Sequence, residues 1–161
     1  MERTVELFLN RFIDTPLGAM IAATDGDAIV SLDFADEGTD IPNSDHPLLL
    51  RLEKELGEYF AGKRRTFDLP IAPRGTPFQL AVWETLRTIP YGETISYAQE
   101  AERFGNPKAV RAVANANGRN PISILIPCHR VIATGGGLGG YSGGEEKKAF
   151  LLALERQPKS R

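Results

Sequence analysis

Cys128 is the only cysteine in the 161 residues of this chain, and there are only two histidines. One thiol excludes an internal disulfide. With so few imidazoles, a zinc site of the Cys/His type is not expected either. No apolar run approaches the ~20 residues of a membrane span, and Met1-Glu-Arg-Thr-Val has none of the features of a signal peptide. A cytoplasmic protein with no metal and no membrane partner is therefore expected. Acidic side chains are missing from one stretch in particular. Between Arg103 and Arg130 there are five bases (Arg103, Lys108, Arg111, Arg119 and Arg130) and no acid. The net charge of −2 conceals this, because residues 1–60 hold 13 acids and 4 bases while residues 61–161 hold 8 acids and 15 bases. Such segregation fits a polyanionic partner for the second half, and it also fits a merely solvated basic face.

What is present suits a globular α+β protein, with enough chain for one good core or two small packed units. Val5–Ile13, Ala19–Thr24 and Ala28–Phe34 have the pattern of strands, the last two meeting at the hairpin signal Asp25-Gly26-Asp27. Leu48, Leu49, Leu52, Leu56, Tyr59 and Phe60 make a helical stripe that Gly62 ends. Phe67–Ile71 is a short strand candidate. Pro70, Pro73 and Gly75 then mark a linker, dividing the chain into a small α/β unit at residues 1–74 and a second unit at 75–161.

The second unit is mainly helical. Thr76-Pro-Phe-Gln79 and Ser96-Tyr-Ala-Gln99 both have capping-box spacing, and Pro77 takes a first helical position. The helix from Ser96 runs to Phe104. A third helix is capped by Asn106 and runs from Pro107 to about Asn117. Two short helices joined by a Gly-containing turn carry the helix-turn-helix pattern. Lys108, Arg111 and Asn115 share one face of the second of them. An apolar run, Ile122–Ile126, is of strand type and leads directly to Cys128. Seven glycines then fall among the ten residues 135–144, and a last helix spans Glu146–Glu155. Gly135-x-Gly137-x-x-Gly140 matches a dinucleotide fingerprint, but no strand with a ribose-binding acid follows, so no nucleotide cofactor is expected.

The chemistry gathers at Cys128. The thiolate is the reactive form, and His129 and Arg130 directly after it are expected to draw the thiol down from about 8.5 toward neutral. A small buried apolar residue is the bland alternative. Glu155 fits a solvated carboxylate, offset by Arg156 and Lys159 at the helix end, and equally an orienter of His129. Tyr97 fits the core or the site. On an extended strand His129 would point away from Cys128, which disfavours a direct cysteine-hydrolase pair.

Four segments together are recognisable: Ile89-Pro-Tyr-Gly-Glu-Thr-Ile-Ser-Tyr97, Gly105-Asn-Pro-Lys-Ala-Val-Arg-Ala-Val113, Asn120-Pro-Ile-Ser-Ile-Leu-Ile-Pro-Cys-His-Arg-Val131 and Gly140-Tyr-Ser-Gly-Gly144. In order and spacing they closely resemble the methylated-DNA–protein-cysteine methyltransferases, also called 6-O-alkylguanine-DNA alkyltransferases. Thr15-Pro-Leu-Gly18 extends the resemblance weakly into the first half. The resemblance implies a ribonuclease-H-like N-terminal domain and a winged helix-turn-helix domain that binds double-stranded DNA through its minor groove as a monomer. An alkylated guanine would be flipped out and its alkyl group passed irreversibly to Cys128, with no cofactor. His129, through a water, would take the thiol proton, and Glu155 would orient His129. Tyr97 would donate to the purine ring. Asn120 would hold the turn before the active segment. The backbone at Cys128, Val131 and Ser142 would read the base, with Tyr141 and Gly143 completing the pocket. Arg111 would replace the flipped base in the stack, and Lys108, Asn115, Arg119 and Arg130 would contact DNA. The cysteine-rich N-terminal segment of the transcription-activating members is absent, as are the N-terminal zinc ligands of some animal members.

Overall fold

Alternating side chains in the first 40 residues build a three-stranded antiparallel sheet in order β1 (Leu9–Thr15), β2 (Gly18–Thr24) and β3 (Ile29–Phe34). The computed structural model of the chain describes residues 8–36, 38–141 and 143–156. The expected first strand therefore begins, within the described residues, at Leu9 and runs two residues further than its alternation suggested. The β1–β2 turn needs Gly18, whose φ of 100° lies in the left-handed region. Thr15 closes that turn by donating its hydroxyl to Gly18 O at 2.6 Å. Ile13, Met20, Ala22, Ile29 and Leu32 form the buried face of the sheet. Against it lies α1 (Pro47–Phe60), capped by His46, with Leu49, Leu52, Leu56 and Tyr59 turned inward. The expected strand at Phe67–Ile71 reduces to a single parallel bridge between Ile71 and Ile29, because Pro70 supplies a carbonyl but no N–H to extend a ladder.

Both capping boxes form. Thr76 starts α2 (Pro77–Leu86) and Ser96 starts α3 (Tyr97–Phe104), each exchanging hydrogen bonds with a glutamine three residues on. Gly105, at φ 101°, ends α3 in the left-handed conformation. The next helix opens as a tighter 3₁₀ turn, Pro107–Ala109, before continuing as α4 (Val110–Gly118). Trp83 Nε1 donates to Ala116 O at 2.8 Å and so pins the end of α4 to α2. Two short strands, β4 (Ile95–Ser96) and β5 (Val131–Ile132), pair in parallel, and α5 (Glu145–Arg156) completes the described chain.

The apolar run before the cysteine is not a strand. Leu32 N donates to Pro121 O and Ser123 N to Leu32 O, both at 2.9 Å, which makes one parallel bridge to β3. The chain then turns sharply. Ile126 N returns to Ile122 O at 3.0 Å, and Ile124 takes φ 72°. A left-handed conformation costs a residue with a Cβ about 1–2 kcal/mol. Ile124 is only 2% exposed, so burial of its side chain offsets the strain. Cys128–Arg130 is a 3₁₀ turn, and Cys128 and His129 are not the opposite faces of an extended strand. Residues of both halves, from Ile13 to Leu151, pack into one continuous core.

Candidate active site

Asn120 organises the turn that carries the thiol. Its Nδ2 donates to Ile126 O at 2.8 Å and to Cys128 Sγ at 3.3 Å, while its Oδ1 accepts from Ile122 N at 2.9 Å. One amide thus ties both ends of the irregular segment and also gives the sulfur a donor. Cys128, 8% exposed, lies in the wall of a cavity of about 410 Å³ that Tyr97, Ala114, Asn115, Asn117 and Tyr141 also line. Burial pushes the thiol up to about 11, against the Asn120 hydrogen bond and the charge of Lys148. The sequence expectation of a thiol drawn toward neutral by His129 and Arg130 is thereby overturned, because both of those side chains are engaged elsewhere.

They are engaged on Glu155. Its Oε2 accepts from His129 Nε2 at 2.7 Å, from Tyr59 Oη at 2.6 Å and from Arg130 Nη2 at 3.1 Å. Its Oε1 accepts from Arg130 Nε at 2.8 Å and from Gly92 N at 3.2 Å. Burial alone would raise this carboxyl. The hydrogen bonds from His129 and Arg130 outweigh it and hold the group well below the usual carboxylate range. The solvated reading of Glu155 is excluded, since the residue is 4% exposed. An ionised carboxylate requires the proton of His129 on Nε2. Nδ1 is then a lone pair, and it is buried with no hydrogen-bond partner among the described residues. Burial pushes the imidazole down, against the pull of Glu155, so the ring stays neutral near pH 7.

Arg130 is a correction. It was expected at a DNA surface, but it is buried. It pairs with Glu155 and donates Nη1 to Ile89 O at 2.7 Å. A guanidinium neutralised inside the fold is not available to a phosphate. Lys108, Arg111, Asn115 and Arg119 are exposed along α4 and its flanks.

Tyr97 packs beneath the glycine-rich loop. A Cβ at Gly139 would stand 2.7 Å from Tyr97 Oη, so only glycine lets the loop lie there. Gly143 is likewise fixed by contact, since a Cβ would meet the Phe34 ring at 2.7 Å. Ser142 lies outside the described residues. Val131 is fully buried, and its carbonyl accepts from Lys148 Nζ at 2.6 Å. Lys148 also donates to Gly140 O at 3.1 Å, joining the loop to β5.

Lys148 and Glu100 escaped the sequence reading. Lys148 is fully buried, and the signal for it was available: Lys148, Leu151, Leu152 and Glu155 share one helical face. Glu100 is also fully buried. Its Oε1 accepts from Asn117 Nδ2 at 2.7 Å, and burial pushes the carboxyl up to about 7. No spacing in the sequence marks it.

Fold and site together define a class: a helix-turn-helix protein with a buried thiol set in a cavity beside the second helix of that motif. Comparison narrows it. Residues 77–157 match the model of the 6-O-methylguanine DNA methyltransferase DNA-binding domain, and residues 9–73 match that of the same family's ribonuclease-like domain. The chain belongs to the 6-O-methylguanine DNA methyltransferase family. A constitutive methylated-DNA–protein-cysteine methyltransferase of Bacillus subtilis is 49% identical over 89% of this chain and 92% of its own. One from Methanosarcina acetivorans is 43% identical over 88% and 94%. The crystal structure of the Mycobacterium tuberculosis 6-O-methylguanine methyltransferase superposes with a TM-score of 0.85 at 42% identity, covering 96% of this chain and 97% of the other. A structure of the same organism's protein in complex with DNA gives 0.84 at 43% identity, over 91% and 92%.

Proposed function

We propose that this protein repairs DNA by moving the alkyl group of 6-O-alkylguanine onto its own Cys128. The observation that carries the reading is a thiol in the wall of a cavity of about 410 Å³, backed by an imidazole whose proton is locked toward a buried carboxylate and whose other nitrogen is vacant. The DNA-bound relative and the exposed basic residues on α4 and its flanks support DNA as the partner, in our reading duplex DNA. Residues 1–74 and 75–161 act as its two domains, and the protein works as a monomer in the cytoplasm.

Reaching the 6-oxygen requires the base to leave the duplex. The helix-turn-helix approaches the minor groove, α4 leading. Arg111 takes the space of the extruded base, while Lys108, Asn115 and Arg119 hold the backbone. The flipped guanine enters the cavity between Tyr97 and Tyr141, beside the backbone of Val131, Ser142 and Gly143. His129 Nδ1 takes the Cys128 proton through one water, and Glu155 stabilises the imidazolium that forms. Sγ attacks the alkyl carbon. The S–C bond forms, the C–O6 bond breaks, and its electron pair leaves with the purine. Tyr97 donates a proton to the ring as that charge develops. Burial pushes the thiol up to about 11, so its deprotonation depends on the His129 relay. A thioether has no leaving route, and no second cysteine exists to exchange with it, so one molecule acts once.

The test is direct. After reaction with duplex DNA carrying 6-O-methylguanine, mass spectrometry of peptides is expected to show one methyl group, on the Cys128 peptide only, and none in Cys128→Ser. Tight binding with Cys128 unmodified would defeat the proposal.

A further inference from the structure

Most of the machinery around Cys128 comes from the C-terminal half, with one exception. Of the five hydrogen bonds to the Glu155 carboxylate, four come from His129, Arg130 (twice) and Gly92. The fifth and shortest comes from Tyr59 Oη on α1, at 2.6 Å and 96 residues away along the chain. Tyr59 is fully buried. Its ring is held by Phe60, Phe67 and Tyr91, with centroids 5.3, 5.6 and 6.2 Å away, so the hydroxyl has one direction to point. Burial and the Glu155 charge push the phenol far above its ordinary range, so it remains an O–H donor at any working pH.

We infer that Tyr59 is a positioning residue of the alkyl-transfer site, the contribution of the N-terminal half to setting how much of the Glu155 charge reaches His129. The inference rests on the roles proposed above for His129 and Glu155. Its physical basis is competition at one atom. Oε2 accepts from Tyr59, His129 and Arg130 at once, and a carboxylate oxygen has about two lone-pair sites. A strong donor at Tyr59 withdraws negative charge that would otherwise favour the imidazolium. The charged and titratable groups facing the ring are Glu155 and Lys148 from α5, Arg130 from its own turn and Tyr59 from α1. Tyr59 alone among them belongs to the first half of the chain.

Tyr59→Phe removes the hydroxyl and keeps the ring. Without that donor, Glu155 binds the His129 proton more strongly, and the imidazole becomes more basic. The base is needed neutral, so the acid limb of the single-turnover rate against pH is expected to move up by about 0.5–1 unit. At a pH on that limb the rate falls about 3- to 10-fold, with a smaller change on the plateau. Replacing Tyr59 alone by 3-fluorotyrosine keeps the shape and makes a stronger donor, and the limb is expected to move down. A merely structural tyrosine would change the melting temperature or the reactive fraction and leave both limbs in place. The same pair of proteins, followed by the NMR titration of the His129 ring before any alkyl donor is added, should show the same opposite shifts. Should Tyr59→Phe not fold, the fluorinated protein carries the test. Unmoved limbs and an unmoved ring titration overturn the inference. Failure of the parent to methylate Cys128 would instead overturn the repair reading, while the ring titration would still report on Tyr59.

Discussion

At the scale of single residues, this site is governed by burial more than by neighbouring charge. Cys128 has His129 and Arg130 beside it in sequence, yet burial pushes its thiol up to about 11, and both neighbouring side chains turn to Glu155 instead. Asn120 Nδ2 is the one side-chain donor to the sulfur among the described residues. Asn120→Ala is therefore expected to raise the thiol further and slow methyl transfer by about ten- to a hundredfold, since a hydrogen bond to a charged group is worth about 1.5–3 kcal/mol. The pH dependence of Cys128 alkylation by iodoacetamide measures the first effect, and single-turnover kinetics the second. Glu100 gives a prediction of opposite character. Its folded value of about 7 lies above the ordinary carboxylate value, so the fold holds the proton more tightly than the unfolded chain does. That stabilisation is full below the ordinary carboxylate value and is lost as pH rises through 7. A neutral glutamine never loses it. The melting temperature of Glu100→Gln relative to the parent is expected to increase by several degrees between pH 5 and pH 8, on the order of 1–3 kcal/mol. A pH-independent difference would remove Glu100 from this role.

At the scale of elements, α4 and the loop before Cys128 behave differently. The helices were legible because their signals are local: capping boxes at Thr76 and Ser96, and glycine at the end of α3. The loop was not legible. Ile122–Ile126 has strand composition, but Asn120, Pro121 and Pro127 bracket it. Its single bridge to Leu32 satisfies only one pairing before Ile124 turns left-handed. Periodicity cannot reveal a segment held by tight backbone turns and by one asparagine side chain that ties its two ends. For the same reason the geometry around Glu155 was only half legible, since its partners come from three separate places in the chain: Tyr59, Gly92 and the His129–Arg130 pair. For α4 itself, Arg111→Ala is expected to leave transfer from free 6-O-methylguanine unchanged and to slow transfer from duplex DNA by about tenfold or more. Equal losses on the two substrates would refute its role in the stack. Gly139→Ala is expected to lower the rate on both, because its methyl group meets Tyr97 Oη.

At the scale of the molecule, charge and core are organised differently. The acids are concentrated in residues 1–60 and the bases in 61–161, while the core runs through both halves without a break. DNA affinity is expected to fall linearly with salt on logarithmic axes. Lys108→Ala should reduce the slope by about one, as one phosphate contact does, with filter binding or fluorescence anisotropy as the measurement. Unfolding should be cooperative, since α1 reaches Glu155 and β3 bridges Ile122.

Trp83 gives DNA docking and unfolding an optical reporter. It is the only tryptophan in the chain, it is 2% exposed, and its indole N–H is bound to the carbonyl of Ala116 near the end of α4. Its emission therefore comes from a dry, fixed environment directly beneath the helix proposed to meet DNA. A blue-shifted spectrum in the free protein, altered when DNA docks and red-shifted only on unfolding, would let recognition and stability be followed in one cuvette without a label.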